Sequence, residues 1–132
     1  MTRPVLLDTH AFVWYAIDHP ALTRPARDAI AEAADVYVSA ASVWEVRTKV
    51  RIGKLSIAAA VAAAGLPSVI AAFGFEPLSV DVEDGDLAGG FPQEHRDPFD
   101  RMLVAQATLE GLVLVTQDRR ITAYRGIQTL TW

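Results

Sequence analysis

Cysteine is absent from the 132 residues, which excludes disulfides and thiolate metal sites and suits, as an expectation, a cytoplasmic chain. Long hydrophobic runs are missing too. Gly, Pro or a charged residue breaks each apolar stretch well short of the roughly 18 to 20 residues that a membrane span needs. Near the start, Arg3-Pro4 precedes only Val5 to Leu7 before Asp8 intervenes, so no secretory leader is expected. A basic excess is lacking as well. With 12 Lys and Arg against 16 Asp and Glu, the net charge is −4, which argues against holding nucleic acid by bulk electrostatics. An acidic site that binds phosphate through metal ions stays open.

Apolar residues, by contrast, are plentiful. They make up 52% of the chain, and the mean hydropathy of +0.22 is high for a small soluble protein. Part of the surface is therefore expected to serve a protein partner or a second copy in a homodimer. The length suits one domain over residues 1–132 with a core of its own.

Strand-like and helix-like segments alternate, the pattern of an α/β sandwich around a mostly parallel sheet. Strands are expected at Val5 to Leu7, Val36 to Ser39, Glu76 to Val80, Leu112 to Val115 and, at an edge, Ile127 to Leu130. Helices are expected over Ala11 to Ile17 and over Pro25 to Ala34 behind Thr23 as N-cap. A third starts at Ser39 or in a Ser42/Glu45 capping box and runs to about Arg51, with Gly53 as its stop. Ala58 to Ala64 is helical by propensity, and Pro67 marks a break. Asp97-Pro98 opens a helix that runs to about Leu109 before Gly111. Asp84 to Glu94, with three glycines and a proline, reads as a loop or a short irregular helix.

The acids carry the functional argument. Val5-Leu6-Leu7 delivers Asp8, and Leu112-Val113-Leu114-Val115 leads through Thr116-Gln117 to Asp118. In a parallel sheet those strand ends share one edge, where open α/β folds build their sites. Glu45, Asp97 and Asp100 open or follow helices that this topology brings to the same edge. Two carboxylates about 4 Å apart repel by roughly 4 kcal/mol at an effective dielectric near 20. Such a cluster needs a cation or takes up protons. Oxygen donors without Cys or paired His favour Mg²⁺, with Mn²⁺ as a substitute.

Structural readings compete for each acid. Asp97 before Pro98 is what an N-cap looks like, Asp100 falls in a first turn favoured for acids, Asp118 could cap a following helix, and Glu45 could close a box with Ser42. Asp8 has the weakest structural alternative. His10 and His95 read as structural or surface histidines. Arg47, Lys49, Arg51 and Lys54 fit either a helix C-terminus or contact with RNA. For Phe12, Trp14, Tyr15 and Trp44, core packing is the first expectation.

Four stretches, in order, resemble the PIN domain family and in particular the VapC toxins of bacterial type II toxin–antitoxin modules. They are Leu6-Leu7-Asp8-Thr9-His10-Ala11, Val38-Ser39-Ala40-Ala41-Ser42-Val43-Trp44-Glu45, His95-Arg96-Asp97-Pro98-Phe99-Asp100-Arg101-Met102-Leu103-Val104-Ala105-Gln106-Ala107, and Leu114-Val115-Thr116-Gln117-Asp118-Arg119-Arg120. The resemblance implies an α/β/α sandwich around a parallel sheet and a Mg²⁺-dependent endoribonuclease that leaves 5′-phosphate and 3′-hydroxyl ends, neutralised by a cognate antitoxin. It places the catalytic and metal-binding acids on Asp8, Glu45, Asp100 and Asp118, with Asp8 and Asp100 as first choice for direct ligands. Thr116 would orient the last carboxylate through its hydroxyl, and Asp97 stays open as an extra acid. Arg119, Arg120 and Arg47 are the expected RNA contacts.

A non-catalytic protein-binding module of the same fold is the alternative reading. A phosphoacceptor receiver domain also places Asp at strand ends, but here no acidic pair follows the first strand and no lysine follows the last apolar strand.

Overall fold

The alternation of Val5-Leu6-Leu7 sorts the core into two layers. Val5 and Leu7 pack with Phe12, Ile30, Val38 and Val46 on one side of the sheet, whereas Leu6 packs with Leu103, Val104, Leu114 and Ile121 on the other. All three strand residues are buried, as a central parallel strand covered on both faces requires. Each such aliphatic side chain contributes roughly 1.5 to 3 kcal/mol by leaving water.

A computed structural model describes residues 3–132. Its strands are β1 (Val5–Leu7), β2 (Val36–Ser39), β3 (Glu76–Leu78), β4 (Val113–Val115) and β5 (Gln128–Leu130). They form one parallel sheet in the order β3-β2-β1-β4-β5. The helices are α1 (Thr9–Ala16), α2 (Arg24–Glu32), α3 (Ala40–Arg51), α4 (Ala59–Ala64), α5 (Leu66–Ala72), α6 (Val82–Gly90), α7 (Pro98–Glu110) and α8 (Arg119–Thr122). Residues of α1, α2, α3 and α5 fill the first core layer and those of α7 and α8 the second, which gives the expected α/β/α sandwich. No helix among the described residues is long and apolar enough to cross a membrane.

Local chemistry explains where the elements start and stop. Ser39, and not Ser42, caps α3: its hydroxyl accepts the Ala41 N–H at 3.0 Å. Thr23 stands at the N-cap of α2 in extended conformation but makes no side-chain cap bond. The break between α4 and α5 falls at Gly65, at φ 85°, while Pro67 lies in the first turn of α5, where its missing N–H leaves no bond unmade. Gly111 ends α7 in the left-handed region at φ 66°, open to glycine without a Cβ penalty.

Of the two readings open for Asp84 to Glu94, a loop or a short irregular helix, the structure takes the second as far as Gly90, in a helix that starts earlier, at Val82. Asp81 and Asp84 close a reciprocal capping box, with each carboxylate accepting the other's backbone N–H at 2.9 and 3.0 Å. A cap of this kind offsets the cost of glycine in so short a helix.

Candidate metal centre

Strand order reverses beside β1, with β2 on one flank and β4 on the other, and that crevice is where a doubly wound sheet leaves room for a ligand. Leu7 is in register with Val115, so Asp8 leaves the sheet next to Thr116, and its N–H donates to Val115 O at 3.0 Å. The Asp8 carboxylate accepts the Ala11 N–H at 2.8 Å and thereby caps α1. Asp8 therefore has a structural task, contrary to its standing in the sequence as the acid least explained by structure.

The other acids arrive from three further elements. Asp118 caps α8 by accepting the Arg120 N–H at 2.9 Å, and it also holds the Arg120 guanidinium at 2.9 and 3.2 Å. Asp97 caps α7, with one oxygen accepting the N–H groups of Phe99 and Asp100 at 2.9 and 3.2 Å. The Asp100 carboxylate points away from this cap, and its Oδ2 lies 3.1 Å from His95 Nε2. Glu45, on α3, is only 2% exposed. It lies 2.5 Å from Thr9 Oγ1 and pairs with Lys49 one turn along the helix. Thr9 gives its single proton to that carboxylate and accepts from Ser42, 3.0 Å away. Ser42 thus supports Glu45 through Thr9 and closes no capping box.

Thr116 departs from expectation in its contact. Its hydroxyl accepts the main-chain N–H of Asp118 at 3.0 Å, so it fixes the turn that presents Asp118 and not the carboxylate itself. It also helps hold down the Asp8 carboxyl, which burial otherwise pushes upward.

Electrostatics tie the acids to one centre. Burial, followed by the negative charges of Asp97, Glu45, Asp118 and Asp8, pushes the Asp100 carboxyl up to about 7. The Arg120 guanidinium holds Asp118 below the usual carboxylate range. Partial burial works against the Lys49 ammonium, but Glu45 more than reverses it and raises its pKa. Donor atoms of His95, Asp100 and Asp118 all fall within 4.8 Å of one another, the tightest grouping among the described residues. Asp8 and Glu45 fall outside this grouping but act on Asp100 through their charge, and His95 is a member that was not among the expected site residues. A cavity of about 180 Å³ opens between Asp8, His10, Trp14, Gln117, Asp118 and Trp132. Two cavities of about 320 Å³ are apolar and have no acid in their lining. One is lined by Ile70, Phe75 and Leu78 among others, and the other by Trp44, Pro98 and Phe99, the last two lying in sequence between Asp97 and Asp100.

A divalent cation fits this chemistry. The donors are predominantly hard carboxylate oxygens, and an Asp100 carboxyl that its neighbours keep from ionising freely marks repulsion that a cation would relieve.

The expected RNA contacts are dispersed. Arg119 is exposed at the start of α8 and Arg120 is engaged by Asp118. Arg47 is also exposed and reaches Ala62 O at 3.5 Å. Trp44 corrects the expectation of core packing: it is 66% exposed, edge-on to Phe99 at 5.0 Å. Phe12 does pack in the core. Two basic residues have roles in the site beyond those expected. Lys49, expected only as part of a basic group at the end of its helix, pairs with Glu45, a contact legible from its position four residues on. Arg101 donates to the carbonyls of Ala88, Phe91, Gln93 and His95 at 2.7 to 2.9 Å, pinning the segment that carries His95 onto α7. No sequence spacing announces that clamp.

Comparison with known proteins agrees with this geometry. The chain is 31% identical over 129 residues to Ribonuclease VapC22 of Mycobacterium tuberculosis, with 96% of each chain covered. Among solved structures it is similar to VapBC2 from Rickettsia felis, bound to a DNA fragment from its promoter, at a TM-score of 0.70, 15% identity and 98% coverage of both chains. FitAcB from Neisseria gonorrhoeae matches at a TM-score of 0.63, 22% identity and 96% coverage of both. These two likenesses carry the fold alone. The PIN domain model matches residues 5–127, a span that holds every acid of the edge, and the chain belongs to the PIN domain family.

Proposed function

We infer that this protein is the toxin of a type II toxin–antitoxin pair, an endoribonuclease that hydrolyses RNA phosphodiester bonds with Mg²⁺ and acts in the cytoplasm. The observation that carries the reading is the meeting of Asp8, Glu45, Asp97 and Asp118 around Asp100, whose carboxyl is pushed up to about 7 by burial first and by these negative charges second. The named ribonuclease relative, matched along 96% of its length, supplies the substrate class.

Asp8, Asp100, Asp118 and Glu45 would hold the cation. When bound, it lowers the pKa of a water and offsets charge on the phosphate oxygens. The chain's own residues do the rest. The N-termini of α1 and α7 face the acidic edge through their Asp8 and Asp97 caps, and their dipoles favour anionic groups there, the RNA phosphate included. Lys49 and Arg120, paired with Glu45 and Asp118 in this structure, become available to the RNA backbone once those carboxylates turn to another cation. Arg119 and Arg47 extend that basic rim. A carboxylate at the edge would take one proton of the water whose oxygen bonds to phosphorus as the P–O3′ bond breaks, and the leaving 3′ oxygen would gain a proton from solvent, so that the products carry 5′-phosphate and 3′-hydroxyl ends. The exposed Trp44 and Val80, which line one apolar cavity, suit the antitoxin chain.

RNA cleavage by Asp8→Asn and Asp100→Asn tests the reading. Each is expected to lower the Mg²⁺-dependent rate at least about a hundredfold, the loss typical of removing one stabiliser of developing charge. Wild-type rates in both would overturn it, and would leave the protein as a binding module of PIN fold.

A further inference from the structure

His95 is the group that this mechanism does not use. Its side chain is only 4% exposed, and it comes from the stretch between α6 and α7 that Arg101 pins by its carbonyls, that of His95 itself included at 2.9 Å. The ring is tilted against Tyr124 at 6.0 Å, which limits its orientation. Nε2 faces the acids, 3.1 Å from Asp100 Oδ2, and Nδ1 is buried with no hydrogen-bond partner among the described residues. Of the two ring nitrogens it is Nε2, the one facing the acids, that can offer a lone pair to a cation there.

We propose that His95 is a direct nitrogen ligand of the cation held by Asp100 and Asp118, which makes this a mixed oxygen and nitrogen site and tilts its preference from Mg²⁺ toward Mn²⁺. The proposal rests on the reading of the acidic edge as a cation site. Its footing is the 4.8 Å grouping of His95, Asp100 and Asp118 donors, together with the burial of the His95 side chain, which keeps Nε2 on that grouping and out of solvent. Adjacent ligands of an octahedral cation with bonds near 2.1 Å stand about 3 Å apart, and the His95 to Asp100 separation of 3.1 Å matches. Mg²⁺ strongly prefers oxygen donors and surrenders water reluctantly, whereas imidazole suits the transition metals. Arg101 is then the residue that positions the ligand, since it fixes the main chain on both sides of the His95 Cα.

The test is pulsed electron paramagnetic resonance of Mn²⁺ bound to the full chain, read for ¹⁴N coupling from a bound imidazole. The chain has three histidines, so the double variant His10→Gln/His19→Gln leaves His95 alone. We expect the ¹⁴N signature in wild type and in that double variant, and its loss in His95→Gln. His95→Gln should still bind Mn²⁺, about tenfold or more weakly, with a smaller loss for Mg²⁺. Bound Mn²⁺ without ¹⁴N coupling in wild type, or coupling that disappears from the double variant, overturns the proposal while leaving the acidic cation site intact. Equal Mn²⁺ affinity in wild type and Asp100→Asn would sink the cation site itself.

Discussion

The chain uses one short pattern, Asp-x-x-Asp at the start of a helix, twice within twenty residues, and the two copies differ in what the second Asp does. At α6, Asp84 turns back on Asp81 and closes a capping box. At α7, Asp97 caps the helix in the same way, but Asp100 turns outward to His95 and to the other acids. Asp84 spends its second interaction on Gln106, at 3.3 Å, inside the protein. Asp100 is pushed up to about 7, by burial first and by the surrounding carboxylates second. With Asp97 already capping α7, the Asp100 carboxylate has no helix-capping task and faces His95 and like charges, the arrangement that the proposed cation would relieve.

The largest effect that would break this contrast is on cleavage. Asp100→Asn is expected to abolish it by at least about a hundredfold, whereas Asp84→Asn should leave the rate per folded molecule unchanged, as measured on an RNA with Mg²⁺. Next in size is the clamp between the two helices. Arg101→Met strips partners from the carbonyls of Ala88, Phe91, Gln93 and His95, and urea unfolding should show a loss of about 3 kcal/mol. Asp84→Ala should cost less, about 1 to 2 kcal/mol, because it removes one cap and one buried partner. A loss confined to activity in either variant would contradict the structural role.

The smallest effect is on the pH profile of the metal-free protein. The Asp100 carboxyl titrates near 7 in the fold against about 3.9 in an unfolded chain, so between those values the native state binds the extra proton. Its contribution to stability is complete below about pH 4 and is lost as the pH rises through 7. The buried Asp8 acts in the same direction, and Asp118, held low by Arg120, acts in the opposite one. Thermal unfolding across pH 4 to 8 should therefore fall less steeply in Asp100→Asn than in wild type, and added Mn²⁺ should restore stability at the upper end.

Much of the molecule was legible before its structure. Apolar strands broken by turn residues identify β1, β2 and β4 to within a residue, because a buried parallel strand leaves little latitude in composition. The same strand ends bring Asp8 and Asp118 to one edge. What stayed open or was misread falls where tertiary contacts decide. Glycine-rich α6 needed its capping box and packing against α7 to be helical. Trp44 lies on the open side of a cavity, edge-on to Phe99, and stays 66% exposed, while Phe12, the fourth residue of α1, meets the core. His95 gains its meaning from Arg101, whose carbonyl contacts depend on a loop conformation that no local pattern encodes.

The central claim is that Asp100, and not its counterpart Asp84, anchors a cation. Thermal shift on adding Mn²⁺ at pH 7.5 tests it without knowledge of the RNA. Binding at about a hundred times Kd stabilises by roughly 2.7 kcal/mol. The account predicts that stabilisation in wild type and in Asp84→Asn, and its loss in Asp100→Asn. Equal stabilisation of Asp100→Asn and wild type would contradict it.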